Sequence, residues 1–269
     1  MGGAFTGVAD DATAFYWNPA GIAFGPFVSA GVFHGRDEMD RDGRRFEDRA
    51  TGLSLQYTFM GVAFAQFRQD LSEGGASRRL DTSDLAVSIL QSLPVDNLVL
   101  GGNVHYLRGT TQTDAEPEVS SQSWDVDLGL VYEPNDRVRI GLMMRRLREA
   151  SFRTASEDDG VRLSRHVRAG ASWRLPRALL VAFDADLSEQ GTGADTWRET
   201  SIGMEKGWFE DRAFVRGGLR VEIGSELGAR PAVSFGGGVQ FWVLEVEGAY
   251  VGSSGLRDEA YWFGVSLAR

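Results

Sequence analysis

The sequence predicts an all-β chain: a transmembrane up-and-down antiparallel β-barrel of about 14 strands, with a short N-terminal plug inside the lumen. Three observations carry this. From Pro26 onward, apolar and polar residues alternate with the period of two that belongs to strands. The connections between these runs alternate long and short along the whole chain. The faces opposite the apolar ones carry charges of both signs.

The clearest strand is Trp124-Asp125-Val126-Asp127-Leu128-Gly129-Leu130-Val131-Tyr132, whose one face is wholly apolar. Runs of the same kind predict strands at about 26–36, 49–58, 60–68, 83–92, 97–109, 121–133 and 137–147. They continue at 162–174, 178–188, 196–206, 212–222, 231–240, 243–250 and 258–268. The long connections fall near 37–48, 69–82, 110–120, 148–161, 189–195, 223–230 and 251–257. The short ones fall near 59–60, 93–96, 134–136, 175–177, 207–211 and 241–242. In a meander, connections of one parity share one end, so this alternation gives one end tight turns and the other longer loops. Pro94, Pro134 and Pro176 sit in the short turns, and no proline sits mid-strand, where it would break the ladder. The long connections carry acidic stretches, Asp37-Glu38-Met39-Asp40, Asp114-Ala115-Glu116 and Glu157-Asp158-Asp159, that read as solvated. A soluble β-sandwich also alternates, but it does not require every connection of one parity to be short.

Composition narrows the function. The 269 residues carry a formal charge of -10, which argues against a nucleic-acid partner. There is no cysteine, so disulfides, thiolate metal sites and cysteine nucleophiles are excluded. The three histidines, His34, His105 and His166, show no metal-ligand spacing. No metal, no cofactor and no catalytic residue is expected, and the chain reads as a non-enzyme. A hydrolase built on His166, Asp186 and a serine is a remote alternative without a nucleophile motif.

With the apolar faces turned to lipid, the polar faces fill the lumen. A hairpin centred on Pro176 places Arg168 opposite Asp184 and His166 opposite Asp186. One centred on Asn135 places Asp125 opposite Arg145. Unpaired charge in a confined interior is costly, so these pairs read first as structural and second as a selectivity path. Glycines at 101–102, 217–218 and 236–238 suggest that another backbone comes close to the wall.

Residues 1–25 differ from the remainder, and the division expected is a plug segment 1–25 followed by a barrel 26–269. Asp10 and Asp11 favour a helix start. Asn18 followed by Pro19 reads as an N-cap and first helical position. A segment this short does not fold alone, and the lumen is the surface nearest to it.

The start Gly2-Gly3-Ala4, the element Ala9-Asp10-Asp11-Ala12 and the motif Tyr16-Trp17-Asn18-Pro19-Ala20 resemble the FadL-like outer-membrane protein superfamily, particularly its PorV/PorQ and UPF0164-type members. Looser echoes run through 127–132, 138–142 and 235–239. The resemblance implies a fourteen-stranded bacterial outer-membrane barrel plugged by its N-terminus, with Asp10, Asp11, Tyr16, Trp17, Asn18 and Pro19 as the plug motif. It also implies an export signal upstream of Met1. Two features depart from it: the chain ends Leu267-Ala268-Arg269 without a terminal aromatic, and it is shorter than FadL-type transporters, with small outer loops. The function expected is therefore a plugged scaffold or accessory subunit of an envelope, surface or secretion assembly, embedded in outer-membrane lipid and bound to other envelope or surface proteins. The alternative is a FadL-like transporter whose partner is a small hydrophobic molecule.

Overall fold

A computed structural model describes residues 1–41, 44–114, 117–153, 161–192, 195–210, 212–224, 228–253 and 259–268. Fourteen antiparallel strands form the wall. They are β1 (Val28–Arg41), β2 (Arg44–Tyr57), β3 (Met60–Glu73), β4 (Ala76–Ser92), β5 (Leu98–Thr113), β6 (Val119–Asn135) and β7 (Val138–Arg145). There follow β8 (His166–Leu175), β9 (Leu179–Asp186), β10 (Asp195–Trp208), β11 (Ala213–Gly224), β12 (Gly228–Phe241), β13 (Leu244–Ser253) and β14 (Glu259–Ala268). Each pairs with the next, and β1 pairs with β14 from Ser29↔Ala268 to Glu38↔Glu259. The sheet is closed. Closure leaves no unpaired edge, as a wall in hydrocarbon requires.

The alternation decides which face is which. Leu53, Leu55, Val62, Leu85, Ile89, Val104, Trp124, Leu128, Ile140, Phe183, Ile202, Leu219, Phe235 and Val265 are all exposed on the outside. Their polar neighbours Ser54, Ser88, Asn103, Asp125, Asp127, Arg139, Arg168 and Asp184 are buried inside. On β6 the apolar band runs from Trp124 to Tyr132, roughly 20 Å along the barrel axis for a tilted strand. Aromatic side chains mark both edges. Tyr106 and Trp124 meet at 5.0 Å near one, and Tyr57 lies 4.4 Å from Phe27 and 5.1 Å from Phe59 at the other. An exposed apolar belt between aromatic girdles, around an ionic interior, is the surface of a membrane-spanning barrel.

Several predicted loops prove to be strand. β1 and β2 continue through the expected loop 37–48, from Asp37↔Asp48 to Arg41↔Arg44, and β3 and β4 continue through 69–82 to Glu73↔Ala76. The 110–120 connection shrinks likewise, because β5 and β6 still pair at Thr111↔Val119. These stretches lack apolar residues on the outside yet keep the ladder, joined by cross-strand charge pairs such as Arg68–Asp81 at 2.7 Å and Arg79–Asp70 at 2.6 Å. They extend the wall beyond the apolar belt. Of the acidic stretches expected in loops, Glu157-Asp158-Asp159 and the Ala115-Glu116 of Asp114-Ala115-Glu116 lie outside the described residues.

The described part of the connection between β7 and β8 turns inward. Its short hairpin, Ser151–Phe152 with Val161–Arg162, turns into the barrel. Phe152 is 1% exposed and packs with Leu80, Leu107 and Ala150. A Cβ at Gly109 would lie 2.3 Å from the Phe152 ring, so only glycine accommodates it there. Asp125 accepts from the backbone of Arg148 (3.0 Å) and Ala150 (2.9 Å), and Asp127 from that of Arg146 (2.8 Å). Phe152→Ala is expected to free this connection, at a cost of about 3–5 kcal/mol for the lost aromatic packing. Hydrogen exchange should then lose protection at 146–153 while β5 keeps it; unchanged protection at 146–153 would refute the anchoring role.

Candidate functional site

The lumen is built from strand residues of the inward parity, and residues 1–25 lie against them. The helix α1 (Ala14–Trp17) opens later than the acidic pair suggests. Asp11 Oδ1 instead takes the Thr13 N–H (2.7 Å) and hydroxyl (2.6 Å), closing a turn before the helix. Asn18 caps the 3₁₀ helix Pro19–Phe24, accepting from the Ala20 N–H at 3.2 Å, with Pro19 in its first turn.

The wall then satisfies the segment's backbone almost residue by residue. Asp184 Oδ2 accepts from the N–H groups of Phe5 (3.0 Å) and Thr6 (2.8 Å). Ser172 donates to the Gly7 carbonyl (2.8 Å), and Arg139 to the Val8 carbonyl (3.0 Å) and Asp10 carboxylate (3.2 Å). Ser54 (2.6 Å) and Gln56 (3.0 Å) both donate to the Ala12 carbonyl. Asn103 donates to that of Phe15 (2.7 Å). Asn18 Nδ2 reaches the carbonyls of Thr6 (3.1 Å) and Leu130 (3.2 Å). These partners sit on β2, β5, β6, β7, β8 and β9, so the segment is held from around the barrel. Buried backbone polar groups require partners, and here side chains of the wall supply them. Inward glycines supply the room. A Cβ at Gly141 would lie 2.2 Å from the Thr6 carbonyl oxygen, and one at Gly129 2.1 Å from Asn18 Oδ1. Of the glycine pairs singled out in the sequence, Gly101 faces Ala20 and Gly218 faces Met1 and Gly2. Gly236 and Gly237 face only neighbouring strands.

Three further ionic groups line the lumen, and Arg168 of one of them donates to the Gly3 carbonyl (3.4 Å). Asp186, with no side-chain exposure, accepts from His166 Nε2 (2.7 Å), Arg168 Nε (2.7 Å), Gln190 Nε2 (2.5 Å) and the Glu199 N–H (2.9 Å). Arg168 also binds Glu199 at 2.9 Å. His105 stands between Asp84 and Asp127, each 3.0 Å from a ring nitrogen. Arg216 reaches Glu247 at 2.6 Å.

The expected pairings need correcting. Arg168 lies opposite Asp186, not Asp184, which lies opposite Gly170. The turn is Pro176–Ala178, with Leu175 paired to Leu179, so its centre falls one residue later than Pro176 and every partner moves by two. Arg177 and Ala178 make this turn with φ of 67° and 52°. His166 reaches Asp186 diagonally rather than directly. Asp125 lies opposite His105 of β5, not Arg145. A bulge between Tyr132 and Asn135 shifts β6 against β7, and pairing ends at Leu128↔Met144. Arg145 instead stacks on the Tyr16 ring, 3.7 Å from its centroid, and draws the Tyr16 phenol below its ordinary range. Within the segment, burial pushes the Asp10 carboxyl up to about 6 against the pull of Arg139.

Amid this ionic interior the segment presents aromatic rings. Trp17 lies 5.6 Å from Phe5 and 5.3 Å from Tyr16, and Tyr16 remains 42% exposed. The roles of Ser54, Gln56, Asn103, Arg139, Glu199 and the Asp84–His105–Asp127 group escaped the sequence reading. Their inward parity was visible in the alternation, but nothing local names their partners.

No family model matches the chain, and no curated protein does. Solved structures do. A FadL homologue of Pseudomonas aeruginosa superposes with a TM-score of 0.71 at 12% identity, covering 98% of this chain and 96% of that one. The CymD monoaromatic hydrocarbon channel gives 0.68 at 13%, covering 100% and 95%. The Ralstonia pickettii toluene transporter TbuX gives 0.68 at 11%, covering 98% and 96%. The chain therefore has the FadL-type barrel fold over its whole described length.

Proposed function

We propose that the protein is an outer-membrane channel for small hydrophobic molecules, with residues 1–25 as its plug. The observation that carries this is the Phe5–Trp17–Tyr16 cluster, aromatic rings held inside the lumen among ionic groups, with Tyr16 still 42% exposed. An apolar solute can rest on such rings, whereas the charged groups around them offer it nothing. The neighbours named as toluene transporter and monoaromatic hydrocarbon channel support the same reading. Nothing in the ionic networks calls for catalysis. His166 is spent on an Asp186 that three further donors already hold, so the proposal is of a non-enzyme.

Proteoliposomes carrying the protein should take up toluene several times faster than empty vesicles, and Trp17→Ala with Tyr16→Ala should cut that excess. Uptake equal to that of empty vesicles would defeat the channel reading. A second reading, a scaffold for envelope or surface proteins, is favoured by the filled lumen. It predicts a stable protein partner on mild-detergent extraction and no uptake. Placement in the PorV/PorQ branch rests on the N-terminal motif alone.

A further inference from the structure

The outside of β1–β5 is unlike the rest of the wall just beyond the apolar belt. Cross-strand register arranges the outward side chains there in rows. The last apolar row is Val32, Leu53, Phe64, Leu85 and Tyr106. The next is His34, Thr51, Gln66, Ser83 and Arg108. The one after is Arg36, Arg49, Arg68 and Asp81, so that three arginines lie directly opposite one another on consecutive strands. Like charges placed so are destabilising. Glu47 offsets part of this through Arg36 (2.9 Å) and Arg49 (2.6 Å), Glu38 contacts Arg36, and Asp81 holds Arg68 at 2.7 Å.

The compensation is one-sided. Glu38 and Glu47 stand in the row farther from the belt, so that, apart from Asp81 level with Arg68, the arginines are the charges nearer the hydrocarbon. Arg49 and Arg68 are still 46% and 47% exposed in their side chains. Arg108, exposed and one row closer, has no carboxylate partner among the described residues. Two residues along a tilted strand advance by about 5 Å. Measured from the last outward apolar residue of its own strand, Arg108 stands about 5 Å and the other three about 10 Å farther along the axis, within reach of the headgroup layer. On β14 and β13 the arginine row continues instead as Tyr261 and Tyr250.

We propose that Arg36, Arg49, Arg68 and Arg108 form a binding surface for the phosphates of anionic membrane lipids. The proposal rests on the membrane reading above but not on transport. Guanidinium matches phosphate in charge and in planar, two-pronged hydrogen bonding. A lipid phosphate between neighbouring arginines would also relieve the repulsion that their register creates.

The test uses the purified full chain in mixed micelles of phosphatidylglycerol and phosphatidylcholine with identical acyl chains, retained lipid being counted by native mass spectrometry. Wild type should hold phosphatidylglycerol at about fivefold preference. R49Q/R68Q/R108Q should bring this close to one, while R198Q, outward-facing on β10, should leave it unchanged. R108Q alone serves if the triple variant does not fold, and should lower the preference part-way. No preference in wild type, or a full preference in the variants, would overturn the surface. Bilayer insertion is measured in parallel: a chain that inserts without lipid preference sinks this proposal alone, and one that does not insert sinks the membrane reading beneath it.

Discussion

Gly141→Val will release the N-terminal segment from the lumen. Its first added carbon would sit 2.2 Å from the Thr6 carbonyl oxygen and 3.0 Å from Asn18 Nδ2. Neither atom has room to withdraw. Thr6 is fixed through Asp184, and Asn18 caps the helix that follows. Overpacking of this kind costs about 1–3 kcal/mol even where neighbours can shift. Here relief requires giving up charge-assisted bonds to Asp184, worth about 1.5–3 kcal/mol each. A loss near 3 kcal/mol moves the docking equilibrium about a hundredfold. Limited proteolysis in detergent should then cleave within residues 1–25 at a concentration of protease that spares wild type. Gly217→Ala is the control, since its added carbon would find no heavy atom closer than 3.9 Å. A segment as resistant in Gly141→Val as in wild type would show that the close approach does not hold it. If the channel reading holds, toluene uptake should rise in the same variant.

Arg168→Met should be the most destabilising single change in the wall. The side chain is 9% exposed and holds Asp186 at 2.7 Å and Glu199 at 2.9 Å. Methionine fills much of the volume but takes the guanidinium from two carboxylates, leaving Glu199 only Arg220 at 3.7 Å and Asp186 only His166, Gln190 and the Glu199 N–H. Removing one partner of a buried ion pair costs about 3–5 kcal/mol, chiefly through the charge left behind. Adding Glu199→Gln to Arg168→Met should therefore recover part of the loss, a coupling that a merely steric effect would not show. The measurement is the denaturant midpoint of the detergent-solubilised barrel for wild type, both single variants and the double. A loss below about 1 kcal/mol, in the range of exposed pairs, would mean that water reaches this group freely.

Much of this architecture is legible in the residues taken one strand at a time. Trp124 to Tyr132 announces both faces of β6, and Pro176 marks a short turn without ambiguity. Asn18-Pro19 marks the start of the 3₁₀ helix. The limits of strand are harder to read where the outward face stops being apolar. Asp37 to Arg41 and Gln69 to Glu73 look like loops because their outward positions carry no apolar residue, yet cross-strand charge pairs carry the ladder through them. The lumen pairings fail for a different cause. Both apply correct facing residues to a turn whose centre is displaced, by a three-residue turn at 176–178 and a bulge near 132–135.

The period of two, written into the chain, settles by itself that each strand has one apolar and one polar face. The count of such runs, with the parity of short turns, settles that the wall has fourteen members. That same period is blind to a shift of two residues, which exchanges partners without changing faces. Whether Arg168 meets Asp184 or Asp186 was therefore decided only when the turns closed. The docking of residues 1–25 and the inward fold of Phe152 were decided only in three dimensions too, because their partners lie on strands far along the chain. No local pattern encodes the meeting of Thr6 with Gly141, or of Phe152 with Gly109; the closed wall brings them together.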